Sequence, residues 1–456
     1  MNATSRRMAM LEAPVGQTLV NLTVPTIFGL LSMVAFNLVD TFFVGQLGTQ
    51  QLAAMSFTFP VVMVVMSIAS GIGLGGSALI SKAIGEGDQD RVRRLTTDLL
   101  LLALTVVICF AIVGVLTVEP VFTVLGAPPV TLALIKEYMF IWYIMMVVVV
   151  IPMVGNLAIR ATGDAKTPSV VMVFAVIFNL ALDPVLIFGW GPIPRLELAG
   201  ASWATTISRM FTLVFSLYIL YFRDRMITFQ WPGLVVILDN WQQILRIGIP
   251  AAATNMITPL SMGLITRLVA TYGVAPVAAF GVVSRIEALA LIVIMALGNV
   301  LGPFIGQNWG AGRMTRVRES IRLSQQFSIG WGLLMMILLA IFSRPIASIF
   351  NSDIQVIENA VLYLWLVPVS YGLQGVLRLV AFALNVLNNP IYATALTLLQ
   401  MFGLYIPLAY LGSTLVGLNG IFAAASVAHI IAGLIAYQVL RGLLPTDHCR
   451  TLKHLA

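Results

Sequence analysis

Charged residues are scarce in this chain. Asp, Glu, Lys and Arg make up 9% of its 456 residues, whereas hydrophobic residues make up 59%. A soluble domain of this length cannot bury so large an apolar fraction, and the mean hydropathy is +0.99. This composition excludes an ordinary soluble enzyme or binding module and predicts an integral membrane protein.

Cysteine and histidine are also rare, with two Cys and three His in the chain. Cys109 lies in an apolar run and Cys449 lies in the tail, so we expect no disulfide. His429 stands alone in the last apolar run, and no metal-ligand cluster or catalytic set is visible. We therefore expect no enzyme activity, no metal centre and no organic cofactor.

Apolar runs long enough to cross a bilayer as α-helices recur along the whole chain. They predict an all-α membrane protein with twelve transmembrane helices. The twelve predicted helices lie near 17–45, 55–80, 96–118, 134–159, 168–190, 199–221, 243–270, 277–302, 322–342, 357–383, 390–411 and 419–440.

Basic residues are distributed unevenly between alternate loops. With a cytoplasmic N-terminus, the loop residues that fall outside are Lys136, Arg195 and Arg344, and the other basic loop residues fall inside. Cytoplasmic loops retain Lys and Arg, so both termini are predicted to be cytoplasmic. The net charge of +7 is spread over several short loops, which argues against nucleic-acid binding.

The chain contains an internal repeat at an offset of 225 residues. The clearest copies are AIGEGDQDRVRR and NWGAGRMTRVRE, each following an even-numbered predicted helix. One duplication gives two pseudo-symmetric six-helix bundles. We predict an N-terminal lobe at 1–221, a cytoplasmic linker at 222–242, and a C-terminal lobe at 243–456 that ends in a short cytoplasmic tail. Paired bundles favour a carrier over a channel, since no selectivity-filter motif is visible.

Polar residues cluster inside the predicted helices of the N-terminal lobe. Asn37 and Asp40 are three residues apart on helix 1, and Asn179 and Asp183 are four apart on helix 5. Each pair should project from one helix face. Further hydrogen-bonding groups come from Asn156 on helix 4 and Thr205 on helix 6. If these faces converge, they form a polar pocket at hydrocarbon depth with no evident basic partner.

A pocket with two carboxyl groups away from water has two possible chemistries. Desolvation and a second nearby carboxyl favour binding of a proton near neutral pH. Alternatively, oxygens of Asp40, Asn179, Asp183 and Thr205 could ligate Na⁺. A third interpretation is that the polar groups only hold the helices together. The sequence leaves all three open.

Two further features concern movement and substrate binding. Pro25 lies inside helix 1 and can make it bend. Methionines such as Met33 and Met172 could line a cavity of broad specificity, although most of the 21 methionines are expected in the core or facing lipid. The predicted substrate-binding residues are Met33, Asn37, Asp40, Asn156, Met172, Asn179 and Asp183.

Several motifs resemble the multidrug and toxic compound extrusion (MATE) family, in particular its prokaryotic DinF-like branch. They are VDTFFVGQLG, the paired GEG and GAG loops, NLAIRATGDAKTP, FNLALDP, GASWATTIS, and SRIEAL followed by GPFIGQNWGAG. The resemblance covers essentially the whole chain.

The resemblance implies an exporter, located in the inner membrane, that expels amphipathic and often cationic compounds in exchange for H⁺ or Na⁺. It assigns ion coupling to Asp40 and Asp183, with Asn156, Asn179 and Thr205 beside them, and helix bending to Pro25. A lipid-linked oligosaccharide flippase of the same superfamily is the nearest alternative, but it should carry basic residues for a pyrophosphate. We expect a monomer whose partners are small molecules and the lipid bilayer.

Overall fold

A computed structural model describes residues 3–47, 49–126, 128–190 and 194–444. The regular structure of these residues is helical, which confirms the predicted all-α class. The chain divides into two compact units: unit 1 comprises Met1–Ala253 with Gly306–Gly312, and unit 2 comprises Thr254–Ile305 with Arg313–Ala456.

Unit 1 contains the first seven helices and the beginning of the eighth. They are α1 (Ala3–Glu12), α2 (Val15–Leu47), α3 (Thr49–Glu86), α4 (Gln89–Val124), α5 (Pro129–Ala161), α6 (Lys166–Phe188), α7 (Glu197–Tyr218) and α8 (Leu234–Ala270). A π-helical turn at Ile219–Arg223 extends α7.

Unit 2 contains the rest of α8 and the remaining helices, apart from the last residues of α10. They are α9 (Val274–Ala290), α10 (Ile292–Gly310), α11 (Met314–Phe350), α12 (Ile354–Leu366), α13 (Tyr371–Val386), α14 (Pro390–Leu398), α15 (Ile406–Val416) and α16 (Leu418–Leu443). The π-helical segment Leu399–Tyr405 joins α14 to α15.

Every predicted transmembrane helix has a helical counterpart. Within the described ranges, eleven helical stretches are long and apolar enough to cross a membrane. The helix at the seventh predicted position, α8, is not among them, because Pro250, Thr254, Asn255 and Pro259 lower its hydropathy. The predicted lobe and linker boundaries stay predictions. The tail predicted after α16 falls at 445–456, outside the described residues.

The repeated glycine loops have the same backbone conformation in both copies. Gly87 ends α3 with φ of 83°, and Gly312 follows α10 with φ of 73°. This left-handed region favours glycine, which explains why the residue recurs at an offset of 225. In the first copy Asp88 then caps α4 by accepting a hydrogen bond from the backbone nitrogen of Arg91 at 2.9 Å.

A buried ionic cluster, the Arg6 network, fastens α1 to unit 1. The Arg6 guanidinium donates to Asp164 Oδ2 at 3.0 Å and also pairs with Asp224. Arg223 Nη2 lies 2.8 Å from Asp164 Oδ2 and 2.7 Å from Asp224 Oδ2. Burial alone would raise the pKa of Asp164. The hydrogen bonds from Thr167 and the charges of the two arginines outweigh this effect and hold that pKa below its ordinary value.

Candidate functional site

The two membrane carboxylates lie on neighbouring helices of unit 1. Asp40 on α2 is 8% exposed, Asp183 on α6 is fully buried, and the two helices pack against each other. Taking each helix middle as the bilayer middle, a rise of about 1.5 Å per residue puts Asp40 about 13 Å and Asp183 about 9 Å from it. Both depths lie within the roughly 15 Å half-thickness of the hydrocarbon core.

Asn179 lies on the same face of α6 as Asp183 and binds it. Its amide Nδ2 donates to Asp183 Oδ1 at 3.2 Å, one helical turn away. Three buried oxygens accept no hydrogen bond from the described residues: Asp40 Oδ1, Asn179 Oδ1 and Asp183 Oδ2. The charges of Asp40 and Asp183 also act on each other. Such oxygens can hold a proton or a hard cation.

Arg209 on α7 is a basic partner that the sequence analysis missed. The prediction that the pocket has no such partner is wrong, because the charge of Arg209 acts on Asp40. The Arg209 guanidinium lies 4.3 Å from the centre of the Phe36 ring, and its Nη1 lies 3.7 Å from Met172 Sδ. Its buried Nε has no acceptor among the described residues. Arg209 is one helical turn after Thr205, and this spacing could have identified it.

Tyr138 on α5 is a second residue that the sequence analysis missed. The side chain is buried, and the charges of Asp40 and Asp183 both act on it. Its backbone oxygen accepts a hydrogen bond from Ser202 Oγ of α7 at 3.4 Å. α5 therefore contributes a buried aromatic side chain on which the charges of both carboxylates act.

The other predicted site residues differ in burial. Asn37 and Met33 on α2 are exposed, so the face of Asp40 is not shared fully by Asn37 three residues earlier. Half-buried positions are held by Pro25, Asn156, Met172 and Thr205. Of this set, Met172 contacts Arg209. The helices that carry Asn156 and Met172, α5 and α6, both pack against α7, which carries Thr205. The hydrogen-bonded core of the site is therefore Asn179 with Asp183, the charge of Asp40 acts on Asp183, and the charge of Arg209 acts on Asp40.

Unit 2 has its own intramembrane acid, which is bound differently. Glu287 on α9 accepts from Tyr363 Oη at 2.6 Å and from Gln374 Nε2 at 3.0 Å. The charge of Arg378 acts on it as well. Glu287 thus links α9 to α12 and α13, and both of its carboxylate oxygens accept hydrogen bonds.

Comparison with known proteins identifies the family. The MatE family model matches residues 25–185 and 250–411. The second match begins 225 residues after the first, which is the offset of the internal repeat. The chain belongs to the MATE family. It is therefore a multi-pass membrane transporter and not an enzyme.

Individual relatives cover nearly the whole chain. The FAD transporter of Shewanella oneidensis is 39% identical over 433 residues, covering 95% of this chain and 96% of its own. The probable multidrug resistance protein YoeA of Bacillus subtilis is 26% identical and covers 86% of both chains. Among solved structures, the Vibrio cholerae MATE transporter VcmN in the bent form has a TM-score of 0.89 at 32% identity, covering 94% of this chain and 97% of its own.

Proposed function

We propose that this MATE transporter is a secondary-active multidrug exporter that expels amphipathic, often cationic compounds in exchange for protons. The observation that carries the proposal is the pair of buried carboxylates, Asp40 and Asp183, whose charges act on each other. One oxygen of each, Asp40 Oδ1 and Asp183 Oδ2, has no hydrogen-bond partner among the described residues. Neutralising one carboxyl by protonation relieves the repulsion within the pair. A bound organic cation does the same, so proton and substrate compete.

The neighbouring residues take supporting roles in this proposal. Asn179 positions Asp183 through their hydrogen bond, while Asn156 and Thr205 supply polar groups for substrate or ion. Met33, Asn37 and Met172 supply adaptable contacts to substrates of different shape. Pro25 interrupts the backbone bonding of α2 and provides the hinge at which that helix bends during transport.

Sodium coupling through the same site is the alternative. Asp40, Asn179, Asp183 and Thr205 offer the oxygen ligands that a hard cation prefers. The flippase alternative is weaker, because the site holds two carboxylates, Asp40 and Asp183, and the charge of Arg209 acts on Asp40 but not on Asp183. We place both termini of the transporter in the cytoplasm, following the distribution of its basic residues. We further propose that it resides in the inner membrane and acts as a monomer.

Uptake of ethidium into inside-out vesicles, in which the cytoplasmic face is on the outside, tests the proposal. Ethidium transport is measured in vesicles that contain wild type, Asp40→Asn or Asp183→Asn. The vesicles are energised either by a proton gradient or by a sodium gradient. We expect a proton gradient alone to drive ethidium transport by the wild type, and each substitution to reduce that transport at least tenfold, or by about 1.4 kcal/mol of coupling.

Glu287→Gln is the matched control, since it neutralises an intramembrane acid in the other unit. We expect it to keep the same dependence on the proton gradient. Transport driven by sodium alone would assign coupling to Na⁺ instead. Full gradient-driven transport in both aspartate variants would refute the site.

Arg209 supports a second candidate, export of a flavin dinucleotide. The Shewanella oneidensis relative is named an FAD transporter, and FAD carries two phosphates that a guanidinium can bind. The proposed contact is between Arg209 and a phosphate, with the neighbouring Phe36 available for ring stacking.

Parallel transport of FAD and ethidium separates the two substrate classes. If FAD is a substrate, Arg209→Gln should lower FAD transport at least tenfold and leave ethidium transport much less affected. Arg195→Gln, which removes an exposed arginine next to Glu197, is the control and should change neither. Wild-type vesicles that transport ethidium but no FAD would exclude this candidate.

A further inference from the structure

A cavity of unit 1 lies between α4 and α5, and its lining does not include Asp40 or Asp183. Its volume is about 530 Å³, which is in the range of small-molecule sites. One end carries the charged side chains Glu119, Lys136 and Glu137, and Lys136 Nζ lies 2.7 Å from Glu119 Oε2. The remaining wall is apolar and aromatic: Val115, Leu116, Val118, Phe140, Ile141 and Tyr143.

The depth of these residues matches one leaflet of a bilayer. At about 1.5 Å per residue, Glu119 lies about 19 Å from the middle of α4, and Lys136 and Glu137 lie 12 to 13 Å or so from the middle of α5. The hydrocarbon core ends at about 15 Å from the midplane, so Glu119 lies at the level of the headgroups, while Lys136 and Glu137 start just inside the core and their side chains can extend to its edge. Tyr143 lies about 3 Å from the middle of α5, so the apolar wall extends inward to the acyl chains.

The charge pattern selects the headgroup. Two carboxylates and one ammonium offer a partner of opposite sign to each charge of a headgroup that carries one ammonium and one phosphate. Lys136 can bind the phosphate, while Glu119 and Glu137 accept hydrogen bonds from a primary ammonium. A quaternary trimethylammonium has no N–H to donate, and an anionic headgroup without an amine would face two carboxylates.

We infer that the groove between α4 and α5 is a binding site for a zwitterionic aminophospholipid of the phosphatidylethanolamine type. The headgroup binds Glu119, Lys136 and Glu137, and one acyl chain lies against Leu116 and Phe140. Both of these apolar side chains are exposed in the protein. The inference does not depend on the proposed substrate or coupling ion, because the groove lies outside that site.

Native mass spectrometry of the full chain tests this site. Purified protein is exchanged into detergent with equal amounts of phosphatidylethanolamine, phosphatidylcholine and phosphatidylglycerol of the same acyl chains. We expect the wild type to retain phosphatidylethanolamine about fivefold over each of the other two, as partly exposed ionic contacts allow. Equal retention of the three lipids, or preferred retention of phosphatidylglycerol, would overturn the inference.

Variants place the lipid in the groove. Glu137→Gln changes an exposed side chain and should fold normally, and together with Glu119→Gln it should abolish the preference for phosphatidylethanolamine. Glu197→Gln removes another exposed carboxylate, outside the groove, and should leave the preference for phosphatidylethanolamine unchanged. An unchanged preference in the double variant would also overturn the inference. Circular dichroism verifies that each variant is folded.

Discussion

At the scale of single residues, the Arg6 network makes stability depend on pH. Asp164 has a lower pKa in the folded protein than in the unfolded chain. Its carboxylate therefore stabilises the fold fully above the unfolded value of about 3.9, and this contribution is lost as the pH falls through that value and then through the folded pKa. The network should be intact at neutral pH and weaken only in acid.

Asp164→Asn isolates this contribution. At pH 7 we expect a loss of about 3 kcal/mol of stability, because Arg6 and Arg223 keep their charges while one buried partner is removed. Below about pH 4 the melting curves of wild type and variant should converge. Asp90→Asn is the control, since the Asp90 side chain is 96% exposed. A constant difference between wild type and Asp164→Asn from pH 7 to pH 3 would contradict the assignment.

The candidate site was only partly predictable from its residues. Helical spacing identified Asn179 with Asp183 correctly, because residues four apart lie on one face. The same rule placed Asn37 beside Asp40, and the structure leaves Asn37 exposed while Asp40 is buried. Arg209 was missed because arginines were interpreted as markers of cytoplasmic loops, whereas its charge acts on Asp40 inside the membrane.

At the scale of helices, close packing in unit 2 depends on glycine. Gly332 on α11 faces Gly372 on α13, and a Cβ at Gly332 would overlap the Gly372 backbone. Neither helix can yield without losing its contact with the other. The absence of a side chain therefore sets the distance between the two helices.

Gly332→Ala should destabilise the protein by about 1–3 kcal/mol through overpacking. Gly330→Ala on the same helix is the matched control, because nothing lies within 4 Å of its added Cβ. That change should be neutral or stabilising by up to about 1 kcal/mol. Thermal unfolding of both purified variants measures the difference. Equal melting temperatures would show that the close approach of the two helices is not required.

Helix positions were predictable, but helix ends and interruptions were not. Hydropathy marks only the part of a helix that lies in hydrocarbon, so the third predicted helix, 96–118, is the middle of Gln89–Val124. The true start depends on the Asp88 cap. The break between α9 and α10 and the π-helical segment Leu399–Tyr405 were missed, because both lie inside continuous apolar runs.

At the scale of the whole molecule, the duplicated sequence contains two different intramembrane acid environments. Asp40 and Asp183 in unit 1 leave oxygens without hydrogen-bond partners in the described part of the chain. Glu287 in unit 2 uses both oxygens in hydrogen bonds to Tyr363 and Gln374. The central claim is therefore that proton and substrate compete in unit 1 alone.

Proton release on substrate binding tests this claim most directly. Ethidium is added to the purified transporter in weakly buffered detergent solution at neutral pH, and a pH indicator follows the released protons. We expect release by the wild type and by Glu287→Gln, and much less release by Asp40→Asn and Asp183→Asn. Ethidium binding without proton release, and with an affinity independent of pH, would contradict it.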